Sequence, residues 1–223
     1  MIQVELYMKD LVYALKKQFA DRLLYVGLQG SYLRNEATAS SDLDAIVIVD
    51  GLSSKDLATY RTIINTLPSP EKSCGFICGK QEMEHWNPLE ICNFVFGTKD
   101  YYGKITDFVP PFTKNDIKNF IKLSVGNLYH ELCHRYVHAD DAKNKSKLPG
   151  TYKGVFFILQ SLYYLKDGCF YSSKKEILDH LEADDKKVLE MANHLHAAAD
   201  YDFESAFSLL FCWCQRILNE VNT

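Results

Sequence analysis

The chain has 223 residues, 47% hydrophobic and 24% charged, which is enough for one large domain or two small ones and for a real core. Its formal net charge is −4, and its 25 Lys and Arg are scattered rather than gathered into a stripe, which argues against long nucleic acid as a partner. No apolar run approaches the ~18 residues that cross a bilayer, and the seven cysteines are odd in number and mostly set in apolar stretches, so reduced thiols, no membrane and a cytoplasmic location are expected.

In chain order, apolar positions at Val4, Leu6, Leu11, Val12, Leu15 and Phe19 recur near the helical period and predict an opening amphipathic helix within residues 3–22. Leu23–Gly30 is a short apolar run closed by glycine and suits a buried strand. Asp44–Asp50 is a second, rich in β-branched residues. Ser53–Leu67 opens on a cap-competent serine, keeps helical spacing and stops at Pro68. Cys74–Gly79 and Glu90–Gly97 read as further strands, giving a small mixed sheet with helices mainly on one face. Beyond Val109–Phe112 the texture changes to helical periodicity over 115–138, 151–168, 173–195 and 202–221, with the polar stretch Ala139–Gly150 as a loop. The expectation is an α+β chain, with a mixed sheet over 1–110 and a helical bundle over 111–223.

The chemistry concentrates in "GLQGSYLRNEATASSDLDAIVIVD", Gly27–Asp50. Strand interiors disfavour aspartate, yet Asp42 and Asp44 stand at the mouth of an apolar run, and alternation along a strand points both the same way. Two such charges stay ionised together only beside a cation. Hard oxygen ligands favour Mg²⁺, which takes further ligands from water and substrate phosphates. Gly30 lets backbone come close to a ligand, and Ser31 offers a hydroxyl and an amide to a phosphate oxygen. Together these residues make a nucleoside triphosphate site.

The same stretch resembles the signature of the DNA polymerase β-like nucleotidyltransferase superfamily: Gly-Ser, a spacer of about ten residues, then Asp-hydrophobic-Asp. The filling with Arg34, Glu36, Ala37, Thr38, Ser41 and Asp42 is especially similar to the small bacterial nucleotidyltransferases, antibiotic-modifying ones included. The resemblance implies a catalytic sheet domain followed by a helical bundle. It implies transfer of a nucleoside monophosphate, AMP by family habit, from NTP to a hydroxyl acceptor such as an aminoglycoside or lincosamide, with release of pyrophosphate. Two Mg²⁺ ions would clamp the attacking and leaving oxygens, and Gly30, Ser31, Arg34 and Ser41 would lie with the nucleotide. It also implies a third acid on a later strand facing the Asp pair. Glu90 is the candidate, as the start of its expected strand, with Glu82, Glu84 and Asp100 as competitors. In the helical half, Lys174, with Lys175 second, matches a lysine that reaches triphosphate, and its seat at a helix entrance opposes the macrodipole unless an anion is near. Glu131 is a candidate to orient or deprotonate the acceptor. It lies in "HELCH", a formal His-Glu-x-x-His match whose longer zinc-protease continuation fails, because Val137 and Asp140 stand where Gly and His are needed. An alternative within the same fold is an antitoxin-like or regulatory nucleotidyltransferase that modifies or binds a partner protein.

Overall fold

The computed structural model describes residues 2–197 and 200–221. They fall into two compact units, one running to Phe112 and the other starting at Thr113.

The first unit is built on a four-stranded sheet. Helix α1 (Val4–Phe19) leads into β1 (Leu23–Gln29), a one-turn helix α2 (Gly30–Leu33) and β2 (Leu43–Val49). Helix α3 (Ser54–Ile64) follows, opened by a capping box in which Ser53 accepts from the Asp56 amide and the Asp56 carboxylate accepts from Ser53. Next come β3 (Ser73–Gly79), α4 (Lys80–Glu84), α5 (Pro88–Phe96) and β4 (Lys99–Tyr102). The strand order is β3-β2-β1-β4. β1 pairs antiparallel with β2 and with β4, and β2 pairs parallel with β3.

Helices cover both faces of this sheet, not mainly one. From Ala45 to Val49, β2 is 0–2% exposed at every position, the signature of a strand with no solvent face. Leu43, Ala45, Val47 and Val49 pack with Tyr7, Leu11, Leu15 and Phe19 of α1 and Ile63 of α3. Ile46 and Ile48 pack with Cys78, Met83, Trp86, Phe94 and Ile105 on the other side.

Two further expectations are corrected. The stretch 90–97 is helix α5, because Asn87 caps its start by accepting the Leu89 amide at 3.2 Å, and Pro88 sits in the first turn, where a missing N–H costs nothing. The stretch 139–150 is not a loop. Asp140 caps α7 (Asp141–Tyr152) through the Lys143 amide, and Asn144, Leu148, Thr151 and Tyr152 are buried along one side despite the internal Pro149.

The second unit is helical throughout its described elements: α6 (Lys114–His138), α7, α8 (Val155–Asp167), α9 (Lys174–Leu178), α10 (Ala183–Ala197) and α11 (Phe203–Glu220). The expected helix over 173–195 is broken between α9 and α10. A buried carboxylate ties three of these helices: Asp185 on α10 accepts from Trp213 Nε1 of α11 at 2.8 Å and Tyr163 of α8 at 3.3 Å, and pairs with Arg216. That satisfies a charge whose burial is otherwise costly.

Candidate functional site

β1 ends on Gln29, level with Asp44 of β2. Chain reversal between the two strands begins at Gly30, whose φ of +75° favours glycine. Space demands it as well, because a Cβ at position 30 would lie 1.9 Å from Asp44 Oδ2. Asp44 therefore fills the gap that the missing side chain leaves, and the two ends of the Gly-Ser and Asp-x-Asp stretch meet at one point. Asp44 is half-buried. Burial pushes its carboxyl above the usual carboxylate range, with the Asp42 charge adding to this, while a hydrogen bond from the Cys74 thiol and the Arg34 guanidinium pull the other way.

The connection between the strands is internally fastened. Ser31 O accepts the Glu36 amide at 2.9 Å, and Arg34 Nε donates to Glu36 Oε2 at 3.0 Å. Ser41 Oγ accepts the Thr38 amide at 2.8 Å while its own amide donates to Thr38 O. Lys72 Nζ, from the turn before β3, donates to Ala39 O. Arg34 acts on Asp44 through space, whereas Ser41 is occupied in holding the loop.

The competitors for a third acid are dispersed. Asp100 on β4 stands level with Gly27, but its Oδ1 accepts the Tyr25 hydroxyl at 2.6 Å. Glu82 lies against Gly79, at the end of β3 remote from Asp44, where a Cβ on that glycine would meet Glu82 Oε2 at 2.0 Å. Glu84 is 3.8 Å from Lys80. Glu90 does not begin a strand. It stands in the first turn of α5 and accepts Trp86 Nε1 at 2.6 Å. Trp86 in turn stacks on Phe76, ring centroids 5.5 Å apart. Glu90 is thus tied to the sheet face that carries Asp44, through a helix rather than a strand. The residue level with Asp44 on β3 is Cys74, which sequence reasoning missed because only strand register reveals it.

In the helical unit, Glu131 accepts from Arg135 at 2.5 Å and from Thr151 Oγ1 at 3.4 Å. His130, His134 and His138 run along the exposed side of α6, with successive ring centroids 6.1 and 4.9 Å apart. Lys174 opens α9 behind its cap Ser173 and lines a cavity of about 290 Å³ with Tyr152, Lys153, Phe156 and His196.

Among the described residues no three His, Cys, Asp or Glu side chains already converge as ion ligands. Two carboxylates at one strand mouth, one of them pushed toward its neutral form by burial, nonetheless make a donor set that a divalent cation fits, because the ion returns the charge compensation that the fold withholds.

No family model and no curated protein matches the chain. Among solved structures, spectinomycin adenyltransferase AAD(9) from Enterococcus faecialis, crystallised with ATP and spectinomycin, is similar over 98% of this chain and 99% of that one, at a TM-score of 0.58 and 12% identity. A nucleotidyltransferase-like protein from Exiguobacterium sibiricum aligns over 93% of this chain and 74% of its own, at a TM-score of 0.41 and 11% identity. At such identity the likeness to AAD(9) is one of fold. No described helix is long and apolar enough to cross a membrane. With the Gly30–Asp44 junction and the sheet followed by helices, that likeness identifies the architecture: the chain is built on the nucleotidyltransferase fold.

Proposed function

We propose that the protein is a nucleotidyltransferase that moves a nucleoside monophosphate, AMP by preference, from NTP to a hydroxyl of a small antibiotic-like acceptor and releases pyrophosphate. The observation that carries this reading is the seating of Asp44 in the space left by Gly30, which joins the phosphate-approach turn to the carboxylate pair. It is supported by the end-to-end likeness to AAD(9), whose structure holds ATP and spectinomycin. In this reading residues 1–110 form the catalytic domain and 111–223 its helical companion, acting in the cytoplasm.

Asp42 and Asp44 would hold Mg²⁺, one or two ions. When bound, the metal neutralises triphosphate charge. Gly30 leaves room for backbone to approach phosphate, Ser31 presents its amide and hydroxyl there, and Arg34, fixed by Glu36, adds positive field. Ser41 serves the nucleotide by holding the loop in shape. Glu90, on helix α5 and tied through Trp86 to the same sheet face, is proposed as the base that takes the acceptor proton, so its assignment as a metal ligand moves with the loss of its strand. Lys174 keeps, as a proposal, the role toward triphosphate that the resemblance implies, and Glu131 keeps, as a proposal of its own, that of orienting or deprotonating the acceptor.

The test is incubation with Mg²⁺, each labelled NTP in turn, and a panel of spectinomycin, other aminoglycoside-class compounds and lincosamides. The expected result is a labelled acceptor and pyrophosphate with ATP, abolished by Asp42→Asn. Absence of product from every pair, or full transfer by Asp42→Asn, overturns the reading.

A further inference from the structure

Where α6 ends and α7 and α11 begin, the helical unit holds a cavity of about 360 Å³, a volume that suits a small organic ligand. Two of its walls are aromatic. Tyr136 packs on Phe207 with ring centroids 4.5 Å apart and Phe203 packs on the same ring at 5.8 Å, so both are backed by a side chain only 8% exposed. Its charge comes from three carboxylates, Asp141, Asp202 and Glu204, against one lysine. That lysine, Lys145, is turned to Asp200, where its Nζ donates at 2.8 Å. The Ser205 hydroxyl and amide hold the Asp202 carboxyl below the ordinary carboxylate range, which keeps its charge in place.

Helix starts account for the acids, because Asp141 and Glu204 lie in first turns and Asp202 caps α11. They do not account for Asn144. It is the buried residue among those lining the cavity, 3% exposed, and its Oδ1 has no hydrogen-bond partner among the described residues. An orphaned carbonyl oxygen is costly to bury, and one in a cavity wall beside three carboxylates calls for a ligand that donates hydrogen bonds and carries positive charge. Among the described residues the acids do not converge as metal ligands, and aromatic walls favour a cation that carries hydrocarbon. We propose that this cavity binds an organic amine in its ammonium form, with N–H groups donated to Asn144 Oδ1 and to the carboxylates and the carbon body laid on Tyr136 and Phe203. The site lies wholly within the helical unit and does not depend on the transfer reaction proposed above.

Calorimetric titration of the full-length protein without nucleotide, using 1,5-diaminopentane, glucosamine and the uncharged 1,5-pentanediol, tests this. Saturable binding of one equivalent of amine is expected, and none of the diol. Binding of the diamine assigns the site to open-chain amines, and binding of glucosamine to amino sugars. Glu204→Gln and Asp141→Asn are each expected to weaken the amine by about threefold to fivefold. Asn144→Leu should weaken it by about tenfold or more while the melting temperature stays level or rises, because an orphaned polar group is removed; an asparagine that served structure alone would lose stability and leave the amine unaffected. Glu71→Gln, at an exposed acid of the first unit, controls for general attraction to an acidic protein and should change nothing. If Asn144→Leu does not fold, the double variant Asp141→Asn with Glu204→Gln decides. No saturable amine binding at millimolar concentration, equal binding of the diol, or amine binding untouched by the double variant overturns the proposal.

Discussion

Asp44 Oδ2 occupies the position that a side chain on Gly30 would need, 1.9 Å from where a Cβ would be. Gly30→Ala therefore has two penalties. The left-handed backbone costs about 1–2 kcal/mol, and the methyl drives Asp44 out of its seat. We expect a lower melting temperature together with loss of metal-dependent nucleotide binding. Ser31→Ala, which leaves the junction intact, should do much less to stability. Nucleotide titration beside thermal melts separates the two, and a Gly30→Ala protein that binds nucleotide normally contradicts the role given to the junction.

Asp44 also couples the site to pH. Burial first, then the Asp42 charge, holds its folded-state pKa above the ordinary carboxylate value. A raised carboxyl pKa means that folding favours the neutral acid, so stability is lost as pH rises from the ordinary carboxylate range through the folded pKa. Near neutrality and without divalent ions, Asp44→Asn is expected to melt above wild type, and the gap should close in acid. Divalent ion with ATP should raise the melting temperature of wild type but not of the variant. An identical gap at both pH extremes removes the electrostatic explanation.

Asp100 offers a control on the same sheet. Its bond from Tyr25 links β1 to β4, and burial followed by the Asp100 hydrogen bond pushes the Tyr25 hydroxyl far above its usual range. Tyr25→Phe should cost about 1 kcal/mol of stability, the net worth of one hydrogen bond, with transfer retained. Asp100→Asn should likewise remain active. A large loss of rate at unchanged stability in Asp100→Asn would falsify the view that this carboxylate is structural.

The two remaining glutamates divide by readout. Glu90→Gln keeps an acceptor for Trp86 and removes only charge, so a slowing of about 10²- to 10⁴-fold at unchanged melting temperature is expected of a general base. Glu131 faces Arg135, whose side chain is 12% exposed and whose Nε and Nη2 are buried without hydrogen-bond partners among the described residues. Glu131→Gln should cost about 1 kcal/mol, discounted because the carboxylate is half exposed, in addition to any acceptor-dependent effect on rate. Stopped reactions and melts on both variants decide between the roles.

The nucleotide end of this site was legible in the sequence because glycine, serine and two aspartates are local to one reversal of the chain. What escaped depended on neighbours distant in sequence. Cys74 acquires meaning only through its register with Asp44. The apolar stretch after Glu90 has the composition of a strand, but Asn87 and Pro88 form a helix-start signal that outranks it. The polar run after Ala139 carries its own cap at Asp140, and its buried residues keep helical spacing at 144, 148, 151 and 152, but Asn144 and Thr151 are polar, so an apolar pattern does not show. β4 has four residues and begins with Lys99 and Asp100, too short and too polar for an alternation pattern.

The start of α6 bears on how such a chain can be assembled. Thr113 is the first residue of the helical unit and also its cap: its hydroxyl receives the Asp116 amide, and the Asp116 carboxylate receives the Thr113 amide at 2.7 Å. The signal that begins the second unit thus lies wholly inside it. A fusion joint placed between Phe112 and Thr113 would leave this cap whole, so a graft of the helical unit behind a different sheet would carry its own starting instruction along.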